Sequence, residues 1–355
     1  LDLEDQGLHA RLDNQNRHVF TPDTHFDWDD LILDRGFWSC RPAPETSLTL
    51  GPQYNIRPGG ILKLEAHPYD GSRSIYHDAV RLQAVTGDWQ LDLALIHNEK
   101  YDPLVIAGDQ DRRLTDADES GATVRLTRGG WAWSVLYKVE NDPDGELPDL
   151  TSVTGAGRYD RALANGGEWH LELAVQYQNG VVRSAYTADD PGDEGWALAG
   201  EGSARWPLGK RGSLEAGGFY YSGQDGSLRP FRAPWGRWPK WSELYIYTLI
   251  GESTPGRVTV AAWENIAAPL LTLRRPLGEV LSLRGNAQYL LAPASSWEAR
   301  GWLTQLELKA KLRQGLTGHL LWEMLAPGAY HDGRHGLPPL TATVHFLRWQ
   351  IVWTL

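Results

Sequence analysis

The chain alternates apolar and polar residues over long stretches, and this pattern recurs from one end to the other. In EWHLELAVQYQ, 168–178, every second residue is large and apolar, namely Trp169, Leu171, Leu173, Val175 and Tyr177. His170, Glu172 and Gln176 lie between them. A helix would scatter these residues around its axis, whereas a β-strand places each set on one face. The pattern predicts strands of about 9–13 residues, long enough to cross a bilayer at a tilt.

Short and long connections alternate between the predicted strands. The short, glycine-bearing turns are expected at 86–88, 128–130, 164–167, 208–212, 276–278 and 313–315. The long polar loops are expected at 99–120, 141–152, 179–193, 224–241, 291–300 and 326–340. This asymmetry is typical of outer-membrane barrels, which have short periplasmic turns and long outer loops. We predict an all-β fold, a single closed antiparallel transmembrane β-barrel over residues 1–355, with about 18 strands. Sixteen strands are the alternative, because 254–275 is weakly patterned and contains Pro269.

The last eleven residues, HFLRWQIVWTL, indicate what the apolar face of the strands contacts. Trp349, Ile351, Trp353 and Leu355 share one face of this stretch, and we expect that face to contact lipid. A soluble β-sandwich or propeller also alternates, with its apolar face against a second sheet. The opposite face, however, carries Glu, Gln, Arg and Lys in nearly every strand, which favours a barrel whose inner face meets water. The predicted location is the outer membrane of a Gram-negative-type cell, in contact with its lipid and lipopolysaccharide.

Composition narrows the classes of function. The chain has 17 Trp and 14 Tyr against 6 Phe, and Trp and Tyr favour membrane interfaces or sugar-binding surfaces. The net charge of −11 argues against nucleic acid as a partner. Cys40 is the single cysteine, which excludes a disulfide framework. The chain begins at Leu1 without a basic or apolar leader, so we expect a mature protein. No catalytic motif is found, and we predict neither enzymatic activity nor a resident cofactor.

Four segments resemble the alginate export family of outer-membrane β-barrel porins. They are HDAVRLQAVTGDWQLDLALI at 77–96, GWALAGEGSARWPLGKRGSLEAGGFYYSGQD at 195–225, LRPFRAPWGRWPKWSELYIYT at 228–248 and GHLLWEMLAPGAYH at 318–331. Where the family pattern has Asp after Pro-Gly, this chain has Ala329. The resemblance implies a monomeric barrel with an arginine-rich lumen that passes an anionic polysaccharide.

Strand alternation also predicts which charged residues line the pore. The basic candidates are Arg125, Lys138, Arg158, Arg205, Arg284, Lys309, Lys311 and Arg348. The acidic candidates are Asp92, Glu140, Asp160, Glu172, Glu201, Glu215, Glu307 and Glu323. The two signs are nearly balanced, so they either form salt bridges that stiffen the wall or separate onto different walls. Basic groups in a narrow pore attract carboxylated solutes.

Two loops carry further candidates. In PFRAPWGRWPKW, 230–241, aromatic and basic residues interleave between prolines, and the candidates for a constriction are Arg232, Trp235, Arg237, Trp238, Lys240 and Trp241. Aromatic faces stack on sugars and guanidinium groups bind carboxylates, although the tryptophans could instead anchor the rim in lipid headgroups. Asp142, Asp144 and Glu146 are weak candidates for loop-bound Ca²⁺, since calcium prefers clustered oxygen ligands.

Three functions fit these observations. The first is a porin-like channel that passes hydrophilic solutes, including an anionic polysaccharide or oligosaccharide, by passive diffusion. The second is a barrel scaffold that sheathes a periplasmic partner such as a cytochrome or a lipoprotein. The third is a soluble all-β carbohydrate-binding protein.

Overall fold

A computed structural model describes residues 6–19, 25–53, 60–62, 77–108, 117–145, 149–180, 194–209, 211–235, 242–244, 264–333 and 339–353. These residues form seventeen strands and two short 3₁₀ turns. The strands are β1 Gly7–Val19, β2 His25–Ala43, β3 Thr46–Gln53, β4 His77–Thr86, β5 Trp89–Asn98, β6 Val105–Ala107, β7 Asp118–Arg128, β8 Trp131–Asn141, β9 Leu150–Ala162, β10 Glu168–Gly180, β11 Glu194–Leu208, β12 Gly212–Tyr221, β13 Ile266–Leu277, β14 Leu281–Ala292, β15 Glu298–Arg313, β16 Leu316–Pro327 and β17 Val344–Trp353. The 3₁₀ turns are Pro293–Ser295 and Ala329–His331.

All seventeen strands belong to one antiparallel sheet. Each long strand pairs with the next along the chain, and β5 pairs directly with β7. The short β6 lies instead against β2, where Leu31 faces Ala107 and Ile32 faces Val105. The predicted all-β antiparallel barrel is confirmed, and seventeen strands among the described residues fit the predicted count of about 18. None of the described helices is long and apolar enough to cross a membrane.

The connections differ in length at the two ends of the sheet. β4 and β5 are joined through Gly87 and Asp88, and β7 and β8 through Gly129 and Gly130. Gly87 and Gly129 have φ of 57° and 56°, a conformation that glycine adopts without steric cost in two-residue hairpins. The connections between β10 and β11 and between β12 and β13 lie at the opposite, long-loop end and span 181–193 and 222–265. The predicted alternation of short turns and long loops is therefore present.

The outer face of the sheet is apolar. On β10, Trp169, Leu171 and Leu173 are about half exposed, whereas Glu172 and Gln176 on the opposite face are buried. On β17, Trp349 and Ile351 are exposed, which is the orientation predicted for the end of the chain. The side chains of Trp353 and Leu355 lie outside the described part of the chain. Large exposed apolar residues on strand after strand form the lipid-facing band that a transmembrane barrel requires.

Aromatic rings cluster on this outer face at the short-turn end. Trp131 packs against Tyr159 with ring centroids 4.4 Å apart and against Trp133 at 5.9 Å. Trp89 lies 6.0 Å from Trp133, and the Arg128 guanidinium lies 5.2 Å from the Trp89 ring. Tryptophan, tyrosine and arginine together suit the boundary between hydrocarbon and headgroups. The cluster therefore marks one edge of the lipid-facing band.

The weakly patterned segment at Pro269 forms part of β13. Pro269 faces Gly218 of β12, but the ladder from β13 to β14 passes from Ala267 to Leu270 and omits it. A proline has no backbone N–H to donate to a neighbouring strand, which accounts for this interruption. Residues 254–263 of the same segment lie outside the described residues.

Candidate functional site

The inner face of the sheet carries the charged residues. All the predicted pore-lining residues lie on this face by strand alternation, because their sequence neighbours point outward or their same-face neighbours are buried. Arg125, for example, lies between the exposed Val124 and Leu126, and Arg348 lies between the exposed Leu347 and Trp349. Whether these side chains touch a permeating solute stays a prediction.

Most of these charges are paired with a neighbour across the wall. Lys138 Nζ lies 2.8 Å from Glu119 Oε1 and 2.7 Å from Glu140 Oε1, and it is almost fully buried. Arg205 pairs with Glu168, and Arg81 with Asp92. Salt bridges between wall residues are thus present, and their stiffening of the wall stays a prediction. Glu119 and Glu168, which alternation alone would place inside, were missed as site residues.

The two signs are distributed unevenly around the wall. On β7–β11 the inward acidic residues are Glu119, Glu140, Asp160, Glu168, Glu172 and Glu201, and the inward basic ones are Arg125, Lys138, Arg158 and Arg205. On β13–β17 the inward basic residues are Arg274, Arg284, Arg300, Lys309, Lys311 and Arg348, and the inward acidic ones are Glu298, Glu307 and Glu323. We call these the acidic arc and the basic arc. Their opposite excess charge sets up a field across the enclosed space.

Arg284 lies at the centre of the basic arc. In the sheet register it faces Arg274 of β13 on one side and Glu307 of β15 on the other. Its Nε is buried without a hydrogen-bond partner among the described residues. Lys309, two residues from Glu307 on the same face, is largely exposed and extends the basic surface toward the short-turn end. The side chains of the basic arc could therefore donate hydrogen bonds to the carboxylate of a solute.

The segment after β12 folds onto this inner face. Residues 229–235, which we call the inner segment, follow β10 and β11 by hydrogen bonds to side chains and backbone. Gln178 Nε2 donates to Pro230 O at 2.8 Å, and Gln176 Nε2 donates to Arg232 O at 2.9 Å. Arg229 Nη2 donates to Gly180 O at 2.6 Å. The two glutamines of β10 thus hold the inner segment through its backbone.

Trp235 ends the inner segment and is almost fully buried. Lys138 Nζ lies 5.1 Å from the centre of its ring, and His77 of β4 packs edge-on at 5.7 Å. Arg232 Nη1 lies 3.5 Å from Glu140 Oε2, so the inner segment is also tied to β8 by charge. The inner segment thereby passes from β12 across β11, β10 and β8 as far as β4.

The next described residues, 242–244, lie against the opposite part of the wall. Ser242 Oγ donates to Glu323 Oε2 at 2.6 Å, and Leu244 N donates to the same oxygen at 3.0 Å. Glu243 Oε1 lies 2.8 Å from Arg348 Nη2. Residues 229–235 thus contact the acidic arc, and residues 242–244 contact the basic arc.

Of the six residues predicted for a constriction, the structure describes two, Arg232 and Trp235, and both lie inside the barrel. Arg237, Trp238, Lys240 and Trp241 lie outside the described residues. Ile61 and Leu62, from the connection between β3 and β4, are also fully buried and join Phe231 and Trp235 in one apolar cluster. Nothing in the alternation of strands identifies such inward-packed loops.

Asp142 and Asp144, the candidates for a loop-bound calcium ion, contact Lys100. Lys100 Nζ lies 2.6 Å from Asp142 Oδ1 and 2.7 Å from Asp144 Oδ2. Glu146, the third candidate, lies outside the described residues. Calcium binding stays a prediction, and an ion at this place would have to displace the ammonium group.

These features define a class of protein, namely a transmembrane β-barrel whose polar inner face is crossed by its own loop. No family model matches the chain, and no curated protein matches it. Solved structures do match. The porin OccK11 (OpdR) of Pseudomonas aeruginosa is 10% identical with a TM-score of 0.54, over 98% of this chain and 91% of that one.

Two further Pseudomonas aeruginosa structures agree. OccK5 (OpdH) is 10% identical with a TM-score of 0.55, over 99% of this chain and 88% of that one. OccK3 (OpdO) is 13% identical with a TM-score of 0.55, over 92% and 83%. The chain therefore has the fold of these outer-membrane porins. The comparisons do not single out the alginate export family, so that resemblance stays a prediction.

Proposed function

We propose that the protein is an outer-membrane channel that admits small anionic solutes, such as carboxylated mono- or oligosaccharides, by passive diffusion. The observation that carries the proposal is the inner segment, which covers the acidic arc and narrows the space that faces the basic arc. A solute that passes beside it meets the basic side chains of Arg284, Lys309 and Lys311 on the basic arc. Guanidinium and ammonium groups in a narrow pore favour carboxylates.

The inward-packed loops support a small solute over a long polysaccharide. Ile61, Leu62, Phe231 and Trp235 fill part of the enclosed space with tightly packed apolar side chains. A hydrated polymer would need an open path along the whole barrel axis. The same packing disfavours the sheath hypothesis, because a periplasmic partner would need the volume that these residues take.

Charge reversal in the basic arc tests the preference for anions. Arg284→Glu changes the charge by two units beside Glu307 and should shift the reversal potential in a salt gradient toward cation selectivity. The physical reason is that fixed charges set the local concentration of permeant ions of opposite sign. The measurement is planar-bilayer recording with a tenfold gradient of KCl.

Arg128→Glu is the matched control for this measurement. Arg128 undergoes the same change of charge but points outward at the short-turn end, over Trp89. Its replacement should leave the reversal potential near that of the unmodified protein. An unchanged reversal potential in Arg284→Glu would refute the role given to the basic arc.

A further inference from the structure

Three possible metal-binding side chains converge on the acidic arc. In the register between β10 and β11, Glu172 lies directly opposite Glu201, and His170 is the next inward residue of β10. One ligand atom from each of these residues lies within 4.8 Å of the other two. His170 Nε2 is 2.9 Å from Glu201 Oε1. One imidazole nitrogen and two carboxylates thus face a common space.

Asp160 orients the histidine from the neighbouring strand. Its Oδ1 lies 2.8 Å from His170 Nδ1, and Arg158 Nε donates to its Oδ2 at 2.6 Å. With a carboxylate at each ring nitrogen, both nitrogens are placed to donate a hydrogen bond. A metal ion at Nε2 would take the place of the proton directed at Glu201, while Asp160 keeps the proton on Nδ1, as carboxylates behind metal-binding histidines do.

The two carboxylates are also enclosed. Directly opposed like charges are unfavourable in an antiparallel sheet. Arg158 Nη1 lies 3.9 Å from Glu172 Oε2 and offsets part of this repulsion, and a bound cation would offset the rest. Gly60 of the connection between β3 and β4 covers the pair, and a Cβ at this residue would lie 2.2 Å from Glu201 Oε1 and 2.3 Å from Glu172 Oε2. The two oxygens therefore converge beside Gly60.

We propose that His170, Glu172 and Glu201 bind a divalent transition-metal ion of the zinc type, with Asp160 as a positioning residue. Imidazole and carboxylate together suit Zn²⁺, with bond lengths of about 2.0–2.2 Å. Calcium and magnesium prefer sites built from oxygen alone. Binding would neutralise part of the acidic arc and join β10 to β11. The binding proposal does not depend on whether the barrel conducts.

Calorimetric titration of the detergent-solubilised barrel with ZnCl₂ tests this assignment. The unmodified chain should bind one zinc ion, and His170→Gln and Glu201→Gln should each weaken binding at least about tenfold because each removes a ligand. Asp160→Asn should weaken it by about ten- to a hundredfold, the usual effect of losing a group that orients a ligand. Cobalt substitution adds a spectroscopic readout, since a d–d absorption band should appear with the unmodified chain and vanish with His170→Gln.

His97→Gln and Glu168→Gln are the matched controls. His97 is exposed and bonds to Ser120, and Glu168 is an inward carboxylate of the same strand that pairs with Arg205 and gives no ligand atom to the cluster. Both controls should bind zinc like the unmodified chain. The mobility of unboiled samples in SDS gels checks that every variant is a folded barrel.

Three results would overturn the assignment. They are the absence of zinc binding by the folded, unmodified chain, equal zinc affinity in that chain and in folded His170→Gln, and Ca²⁺ binding as tight as Zn²⁺ binding. If His97→Gln abolished binding instead, the zinc would belong to the outer surface.

Discussion

Lys100 shows how single residues connect the long loops. It follows β5, is fully buried and reaches both Asp142 and Asp144 after β8, while Tyr101 Oη donates to Asp144 Oδ2 at 2.7 Å. Burial alone would lower the pKa of Lys100, but its hydrogen bonds to the two carboxylates outweigh this and raise it. The same hydrogen bonds from Lys100 and Tyr101 lower the pKa of Asp144. The charges of Lys100, Asp142 and Asp144 therefore hold the two loops together, and we call these three residues the latch.

The latch should depend on pH. Because the pKa of Asp144 is lowered by folding, its contribution is complete above the ordinary carboxylate value of about 3.9 and is lost as the pH falls through the lowered value. Because the pKa of Lys100 is raised, its contribution is complete below about 10.4 and is lost only at higher pH. We expect spin labels at residues 103 and 143 to give a narrow distance distribution at pH 7 and a broad one at about pH 2.5.

Lys100→Met removes the ammonium group and should broaden the same distribution already at pH 7. Lys309→Met, which neutralises a lysine on the inner wall far from these loops, is the control and should keep the narrow distribution. A narrow distribution at pH 7 in Lys100→Met would show that the latch does not hold the loops.

At the scale of elements, the alternation of apolar and polar residues predicted the strands well, because one face of the barrel wall contacts lipid and the other contacts water. On β8, Trp131, Trp133, Val135 and Tyr137 are exposed and the residues between them are buried, as the pattern requires. Lys138 could be assigned to the inner face for the same reason. The alternation of apolar and polar residues repeats every two positions and depends only on neighbouring residues, so it can be recognised in a single sequence.

The inward loops could not be predicted in the same way. Trp235 was a candidate because of its neighbours in PFRAPWGRWPKW, but its position depends on Lys138 and His77, which are distant in the chain. The pairing of β6 with β2 likewise depends on how the loop after β5 folds back, and no periodicity encodes it. Composition cannot distinguish a tryptophan at the lipid rim from one inside the barrel.

Trp235→Ala tests the inner segment as an element. Removal of the indole deletes its contacts with Lys138 and His77 and leaves a cavity, so the inner segment should loosen and the single-channel conductance should rise by about twofold or more. Trp196→Ala, on the lipid-facing side of β11, removes an indole of the same size and should leave the conductance unchanged. Equal conductance in both variants and the unmodified chain would contradict a constriction at Trp235.

At the scale of the whole molecule, the acidic and basic residues of the inner wall accumulate on different groups of strands, which cannot be seen from each strand alone. The sequence predicted nearly balanced signs, and the two possible arrangements, pairing and separation, both occur. Lys138 pairs with Glu119 and Glu140 and Lys309 pairs with Glu307, while Arg284 and Lys311 add to the excess of basic residues on the basic arc. Which strands lie side by side, and hence where the excess accumulates, follows only from the pairing of the strands in the sheet.

The account rests on an apolar outer face in lipid and a hydrated, loop-narrowed path inside. Planar-bilayer recording of the purified, unmodified chain tests both at once. We predict insertion from detergent followed by discrete current steps of uniform size in KCl. A correctly folded barrel that inserts and yields no current steps would contradict the channel, and a chain that stays folded and dispersed in buffer without detergent would contradict the membrane barrel itself.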